Sequence, residues 1–164
     1  MDLMEFLSKH GIHLVRHEHP PVMTVEESLR LVPKFPGAKT KNLFLRDKKG
    51  RRHFLVTVPH DKAVDIDAVA ELIGVNGLGF GSEERLSRYL GIRPGSVSLL
   101  ALANDEARAV EFVIDKALWE AEAVHAHPLV NTATMVIPHT DLERFLAATG
   151  HEARVIDVPA KVQR

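Results

Sequence analysis

Two apolar runs rich in strand formers, residues 42–46 and 53–58, flank Asp47-Lys-Lys-Gly50, whose residues are those of a tight turn. Together they predict an antiparallel hairpin at the centre of the chain. The tip of that hairpin is strongly basic. Between positions 34 and 52, Lys34, Lys39, Lys41, Arg46, Lys48, Lys49, Arg51 and Arg52 face only Asp47, a local charge of +7 in a chain whose net charge is -1, so the remainder carries -8. Such a cluster can act as an electrostatic footprint for phosphates even in an acidic protein. Solvation of an exposed turn accounts equally well for the cations around Gly50, but Lys39 and Lys41 abut the apolar Leu43-Phe-Leu45 and need a reason of their own.

Around the hairpin, helical and extended signals interleave irregularly. Leu3, Met4, Phe6 and Leu7 followed by Gly11 predict a short amphipathic helix over 2–10, and residues 12–19 a strand ended by Pro20-Pro21. Thr24 and Glu27 form a capping box for a second helix through about Leu31, closed by Pro33 and Pro36. Asp65 opens a helix bearing Ile66, Val69, Leu72 and Ile73 and stopped by Gly74; Gly77 to Phe80 is a short strand; Ser82 opens a helix with Leu86, Tyr89 and Leu90, stopped by Gly91. Further strands are predicted at 97–101, 110–114, 121–125 and 132–137, with a helical turn near Leu118. Thr140 and Glu143 read as another capping box for a helix ended by Gly150, before a last strand over 155–157. At 164 residues and 45% hydrophobic, the chain suits one core. The pattern predicts an α/β fold: a single domain, residues 1–164, with a mixed β-sheet and surrounding short helices.

The chain has no cysteine, which excludes disulfides, thiolate metal sites and a cysteine nucleophile. An acidic residue, Asp2, stands where a secretory leader needs positive charge, and no apolar run reaches membrane-spanning length; a cytoplasmic protein with no membrane partner is expected. His17-x-His19 and His125-x-His127 would each point to one face of a strand, but neither has a carboxylate at a metal-site spacing. They are read as surface or rim histidines, and no metal is expected. Gly77-x-Gly-x-Gly81 puts Ser82 where a dinucleotide-binding loop needs its third glycine, so close backbone packing explains it better. No Gly-x-Ser-x-Gly elbow offers a nucleophile. Aromatic residues are too few for a base-stacking platform. Arg85, Arg88 and Arg93 could extend the basic surface, although helical arginines ordinarily face water. Taken alone, Lys41 would be a surface lysine beginning a strand, and Gly95-Ser-Val-Ser98 an ordinary turn.

Taken in order, Ala38-Lys-Thr-Lys-Asn-Leu-Phe-Leu45, Val56-Thr-Val-Pro59, Gly81-Ser-Glu-Glu-Arg85, Leu90-Gly-Ile-Arg-Pro-Gly-Ser-Val-Ser98 and Asn131-Thr-Ala-Thr134 resemble the YbaK/prolyl-tRNA synthetase-associated editing family over nearly the full chain. The Lys-Asn-Leu-Phe-Leu and Asn-Thr-Ala-Thr forms most resemble its free-standing members, which deacylate proline tRNA mischarged with alanine. The resemblance implies hydrolysis of an aminoacyl ester in trans, without a cofactor. Lys41 matches the family's functional lysine, implied to hold the terminal adenosine and its phosphate. Gly95, Ser96, Val97 and Ser98 match the Gly-x-x-x-Pro loop, whose amides would face the ester carbonyl. Leu99 replaces the family's proline, which predicts a less rigid loop, because proline fixes its own φ and restricts its predecessor.

Val25, Leu29 and Leu31 of the second helix, with the segment carrying Asn131 and Thr132, are candidate walls of an amino-acid pocket. Asn42 and His127 complete the substrate-binding candidates, His127 because it precedes Pro128-Leu-Val-Asn131. Lys39 and the hairpin cations are candidates for reading the tRNA acceptor end. The implied partner is that tRNA, with prolyl-tRNA synthetase as a further candidate.

An aminoacyl-tRNA ester is already activated, so water beside its carbonyl needs only oriented amides and, as the resemblance suggests, the 2′-hydroxyl of the terminal ribose. Excluding proline by volume is a stronger sieve than the about 1–3 kcal/mol that one methylene of favourable contact supplies. Other readings use the same residues. A non-catalytic nucleic-acid-binding module would bind in a salt-sensitive way with no ester loss; a small-molecule or partner-binding descendant of the fold would do neither. Within the enzyme reading, serine or cysteine could replace alanine as the amino acid removed.

Overall fold

The computed structural model describes residues 2–162 except 22–23, 25, 28–29 and 31–35. Its strands are β1 (Val15–Glu18), β2 (Thr40–Asp47), β3 (His53–Pro59), β4 (Leu78–Phe80), β5 (Val110–Asp115), β6 (Ala123–Ala126), β7 (Ala133–Pro138) and β8 (Ala153–Ile156). The helices are α1 (Leu3–Lys9), α2 (Ile66–Ile73), α3 (Glu83–Leu90), α4 (Lys116–Trp119) and α5 (His139–Thr149), with a 3-10 helix at Leu99–Asn104. A larger sheet has the order β4-β2-β3-β5-β8 and a smaller one β1-β7-β6.

The hairpin forms as its turn chemistry requires. Asp47 closes the tip: its backbone oxygen accepts from Gly50 N, and its Oδ1 accepts from Arg51 N at 2.7 Å and Arg52 N at 3.0 Å. Those amides, the bond from Arg52 foremost, hold the carboxyl below the usual carboxylate range. The resulting register sets Lys41 opposite Val58, Asn42 opposite Thr57 and Arg46 opposite His53. β3 then pairs in parallel with β5, and β5 with β8, which makes the sheet mixed.

Strand alternation divides the interior in two. Leu45, Phe54, Val56 and Val58 pack with Val69 and Ile73 of α2 on one face of the large sheet. Phe44, Leu55, Phe112 and Ile114 face the other way, toward Leu86 and Leu90 of α3, the 3-10 helix, α5 and the apolar side of the small sheet, Val124, Met135 and Ile137. Gly81 belongs to this second core. A Cβ there would lie 2.4 Å from the Phe44 ring, so close packing explains Gly81, whereas a Cβ at Gly77 or Gly79 would make only ordinary contacts at 3.8 and 3.5 Å.

Several local expectations are corrected. Residues 97–101 are no strand: Leu99–Leu102 are buried in a 3-10 helix, and a fully apolar run carries no period to separate the two. The Thr140 and Glu143 capping box does not form, because α5 starts earlier with Pro138 as its N-cap and Glu143 instead engages the His139 ring. The first strand is confined to Val15–Glu18. At the second helix, Glu27 N donates to Thr24 Oγ1 at 3.0 Å, the amide half of the proposed box, and the Thr24 hydroxyl donates to Glu27 Oε1 at 3.4 Å; Val25, Leu29 and Leu31 lie outside the described residues.

Candidate active site

The segment after α3 is fastened to the large sheet through one side chain. Asn42 of β2 donates from Nδ2 to the Val97 carbonyl at 3.3 Å, and its Oδ1 accepts the Thr57 hydroxyl at 2.6 Å. Thr57 is fully buried in β3, so the carboxamide is held from behind by the central strand while it holds the loop in front. Thr57 was not among the sequence candidates. The signal was available, since the hairpin register that pairs Arg46 with His53 also pairs Asn42 with Thr57.

Leu99 does not alter the backbone of the loop from the shape a proline would favour. Gly95 has φ +88°, which favours glycine. Ser98 is wholly buried with φ −151° and ψ 145°, the extended region a residue before proline must occupy, and its hydroxyl accepts Leu100 N at 3.1 Å. Leu99 is inserted completely into the core. Burial of Leu99 and the Ser98 cap thus hold Ser98 in the extended conformation that a following proline would favour. The amides are not all open, however. Ser96 N donates to Arg93 O at 3.1 Å, whereas the amides of Gly95, Val97 and Ser98 have no hydrogen-bond acceptor among the described residues.

Lys41 precedes Asn42, so the two side chains leave β2 on opposite faces, Lys41 on that of Leu43 and Val58. Burial pushes its ammonium pKa below the ordinary lysine value, and the charge of Asp61 opposes the shift only in part. Lys39 is half-buried and its carbonyl accepts from His60 N. Lys41 and the loop therefore share one end of β2 but not one face. Among the described residues β4 pairs with β2 only at Leu45–Asp47, so β4 does not cover the β2 edge at Lys41 and Asn42.

The small sheet approaches that same end. Ala38 bridges Val124 in parallel, and the Thr40 hydroxyl donates to the His125 carbonyl at 2.7 Å, so β6 runs beside the start of β2 toward Lys41 and Asn42. Beyond β6, His127 donates from Nδ1 to the Ala133 carbonyl at 3.0 Å, which leaves Nε2 as the acceptor nitrogen of the neutral ring. Burial holds its pKa below the ordinary imidazole value, with the Ala133 bond opposing and the nearby His19 adding to the effect. His19 binds Thr134 Oγ1 at 2.8 Å and the Pro20 carbonyl at 2.9 Å, and His125 binds the Pro36 carbonyl at 2.9 Å. His19 and His125 are thus buried and partnered, a correction to their reading as surface or rim residues. Asn131 and Thr132 form the turn into β7, where the Thr132 carbonyl accepts from His19 N. Among the described residues, no three histidine or carboxylate side chains gather to hold a metal, and no helix is long and apolar enough to cross a membrane.

Residues 19–145 match the aminoacyl-tRNA editing domain, and the chain belongs to that family: it is an aminoacyl-tRNA deacylase. It is 40% identical over 141 residues to the prolyl-tRNA editing protein ProX of Acetoanaerobium sticklandii, covering 86% of each chain. To prolyl-tRNA synthetase associated domain-containing protein 1 of Danio rerio it is 42% identical over 152 residues, 92% of this chain and 82% of the other. Its fold matches the crystal structure of hypothetical protein APE2540 with a TM-score of 0.73 at 23% identity, over 95% of this chain and 97% of that one.

Proposed function

We propose that this protein is a cytoplasmic, single-domain, cofactor-free trans-editing hydrolase that removes alanine from mischarged proline tRNA, correcting errors of prolyl-tRNA synthetase. The observation that carries the reading is the Asn42 clamp on Val97, which fixes a loop with open amides at the strand end that bears Lys41. The ester carbonyl faces the amides of Gly95 and Val97, which stabilise the negative charge that develops on its oxygen, while the wholly buried Ser98 holds the loop from the core side. Water, positioned by the ribose 2′-hydroxyl, attacks the carbonyl carbon. The bond to the ribose 3′-oxygen breaks, that oxygen takes a proton, and alanine leaves as the free acid.

Lys41 binds the terminal phosphate across the edge of β2 that β4 does not cover, and Lys39 lies next along the same strand end. His127, Asn131 and Thr132 bound a pocket that admits a methyl group and excludes the proline ring; the other expected walls, Val25 and Leu29, lie outside the described residues. The identity to a prolyl-tRNA editing protein supports the choice of tRNA.

The test is deacylation of one proline tRNA charged in turn with alanine, serine, cysteine and proline. Fast loss of alanine with proline spared is expected, and Lys41→Ala should slow that loss. Ester stability in every case sinks the proposal; faster loss of serine or cysteine reassigns the substrate, and normal turnover by Lys41→Ala removes the lysine from the site.

A further inference from the structure

The hairpin tip and α3 build one basic surface that the ester site does not use. Arg85 of α3 donates to the Gly50 carbonyl at 3.1 Å and to His53 Nε2 at 2.9 Å, tying the helix to the turn. Arg46 and Arg88 lie near the same ring: together with Arg85 their charges disfavour a proton on His53, whose pKa is lowered chiefly by burial. Lys48, Lys49, Arg51 and Arg88 are exposed. Among the described residues none of these cations has an ion-pair partner, whereas Arg52 is neutralised by Glu111 at 2.8 Å. Two carboxylates, Glu83 and Glu84, stand in the first turn of α3, and Asp47 is engaged by the turn amides. Like-charged guanidinium groups held around one ring in an otherwise acidic chain are best satisfied by a polyanion.

The position of this surface suggests which polyanion. β2 runs from Lys41 to Asp47 in six residue steps, about 20 Å, and the chain leads back from Arg85 of α3, past the helix end at Leu90 and Arg93, to the Gly95–Ser98 loop on the Asn42 side of the sheet. An RNA whose 3′ end lies at the loop and whose duplex begins beyond a short unpaired tail would set its first phosphates at the ridge.

Resting on the function proposed above, we propose that Lys48, Lys49 and Arg88 form a phosphate-docking ridge for the acceptor stem of the tRNA, supplying affinity without reading sequence. Phosphate contacts position a nucleic acid and carry no base information.

The test measures binding of uncharged proline tRNA transcript over a range of salt concentrations. The variant Lys48→Gln/Lys49→Gln/Arg88→Gln should raise Kd at least tenfold at low salt and reduce the slope of log Kd against log salt by about two to three; Lys49→Gln alone should reduce it by about one. A control with the same charge change elsewhere, Lys9→Gln/Lys116→Gln/Lys161→Gln, should bind like the parent. Equal binding by ridge variant and parent, or equal loss in the control, overturns the ridge. Loss confined to proline tRNA while other tRNAs bind normally overturns its sequence-blind character. Ester hydrolysis is scored separately on alanyl-charged tRNA with the parent protein: its absence removes the hydrolase reading and leaves the binding result standing, whereas hydrolysis with a silent ridge removes only this inference.

Discussion

The Thr57 hydroxyl, buried in the central strand, donates to the Asn42 carboxamide at 2.6 Å, and Asn42 passes that constraint to the Val97 carbonyl. Replacing the hydroxyl by a methyl leaves a carboxamide oxygen without its donor. Thr57→Val should therefore cost about 1–3 kcal/mol in urea unfolding and lower kcat for deacylation more than it raises KM. Thr57→Ser, which keeps the donor, should restore kcat. A valine variant with unchanged kcat would show that the loop does not depend on this relay.

Leu99 gives a second prediction. Its side chain is fully buried, so Leu99→Ala should destabilise by about 2–5 kcal/mol. Because Ser98 is already extended and Leu99 opens a 3-10 helix, Leu99→Pro suits the backbone. It should lose packing but retain turnover once folded. Calorimetry and deacylation on the pair separate the two effects, and a folded but inactive proline variant contradicts the backbone argument.

How much of this could be read from the residues depended on how local each cause was. The hairpin, the caps Asp65 and Ser82 and the packing glycine Gly81 follow from short-range chemistry, and all are found. Lys41 and the 95–98 loop stand out only through several short motifs that occur in order. The Asn42 bond to Val97 joins residues 55 apart in sequence and exists only once α3 has packed. The burial of the histidines is hidden for the same reason: His19 is satisfied by the distant Thr134 hydroxyl as well as its neighbour Pro20, and His125 by the distant Pro36 carbonyl. The 3-10 helix has no signal that separates it from a strand, because Leu99–Leu102 is apolar at every position.

Gly81 tests the tight contact with Phe44. Gly81→Ala forces the ring or the strand to move and should cost about 1–3 kcal/mol. Combining it with Phe44→Leu, which vacates the space, should give less than the sum of the two losses. Simple additivity in that cycle would mean the ring yields freely.

The acid side of stability is set in part by imidazoles. His53 and His127 both have folded pKa values below the ordinary imidazole value, burial being the first cause in each. On acidification the unfolded chain takes up these protons first, so stability is full above about pH 6.5, falls as pH drops through that value and levels off below the folded pKa values. Urea titrations between pH 7.5 and 5 should show the fall. His53→Gln, which keeps an acceptor for Arg85, should make it shallower; an identical fall in the variant rules out His53 as a contributor.

β3 lies between an antiparallel and a parallel neighbour with His53–Val58 wholly buried, and it carries Thr57. Amide protons along such a strand exchange with solvent only when the entire molecule opens, whereas those of the edge strand β1 are released by local fraying. The anchor of the loop is thereby assigned to the slowest-exchanging part of the protein, and the geometry at Val97 should outlast fluctuations of the small sheet on every timescale short of global unfolding.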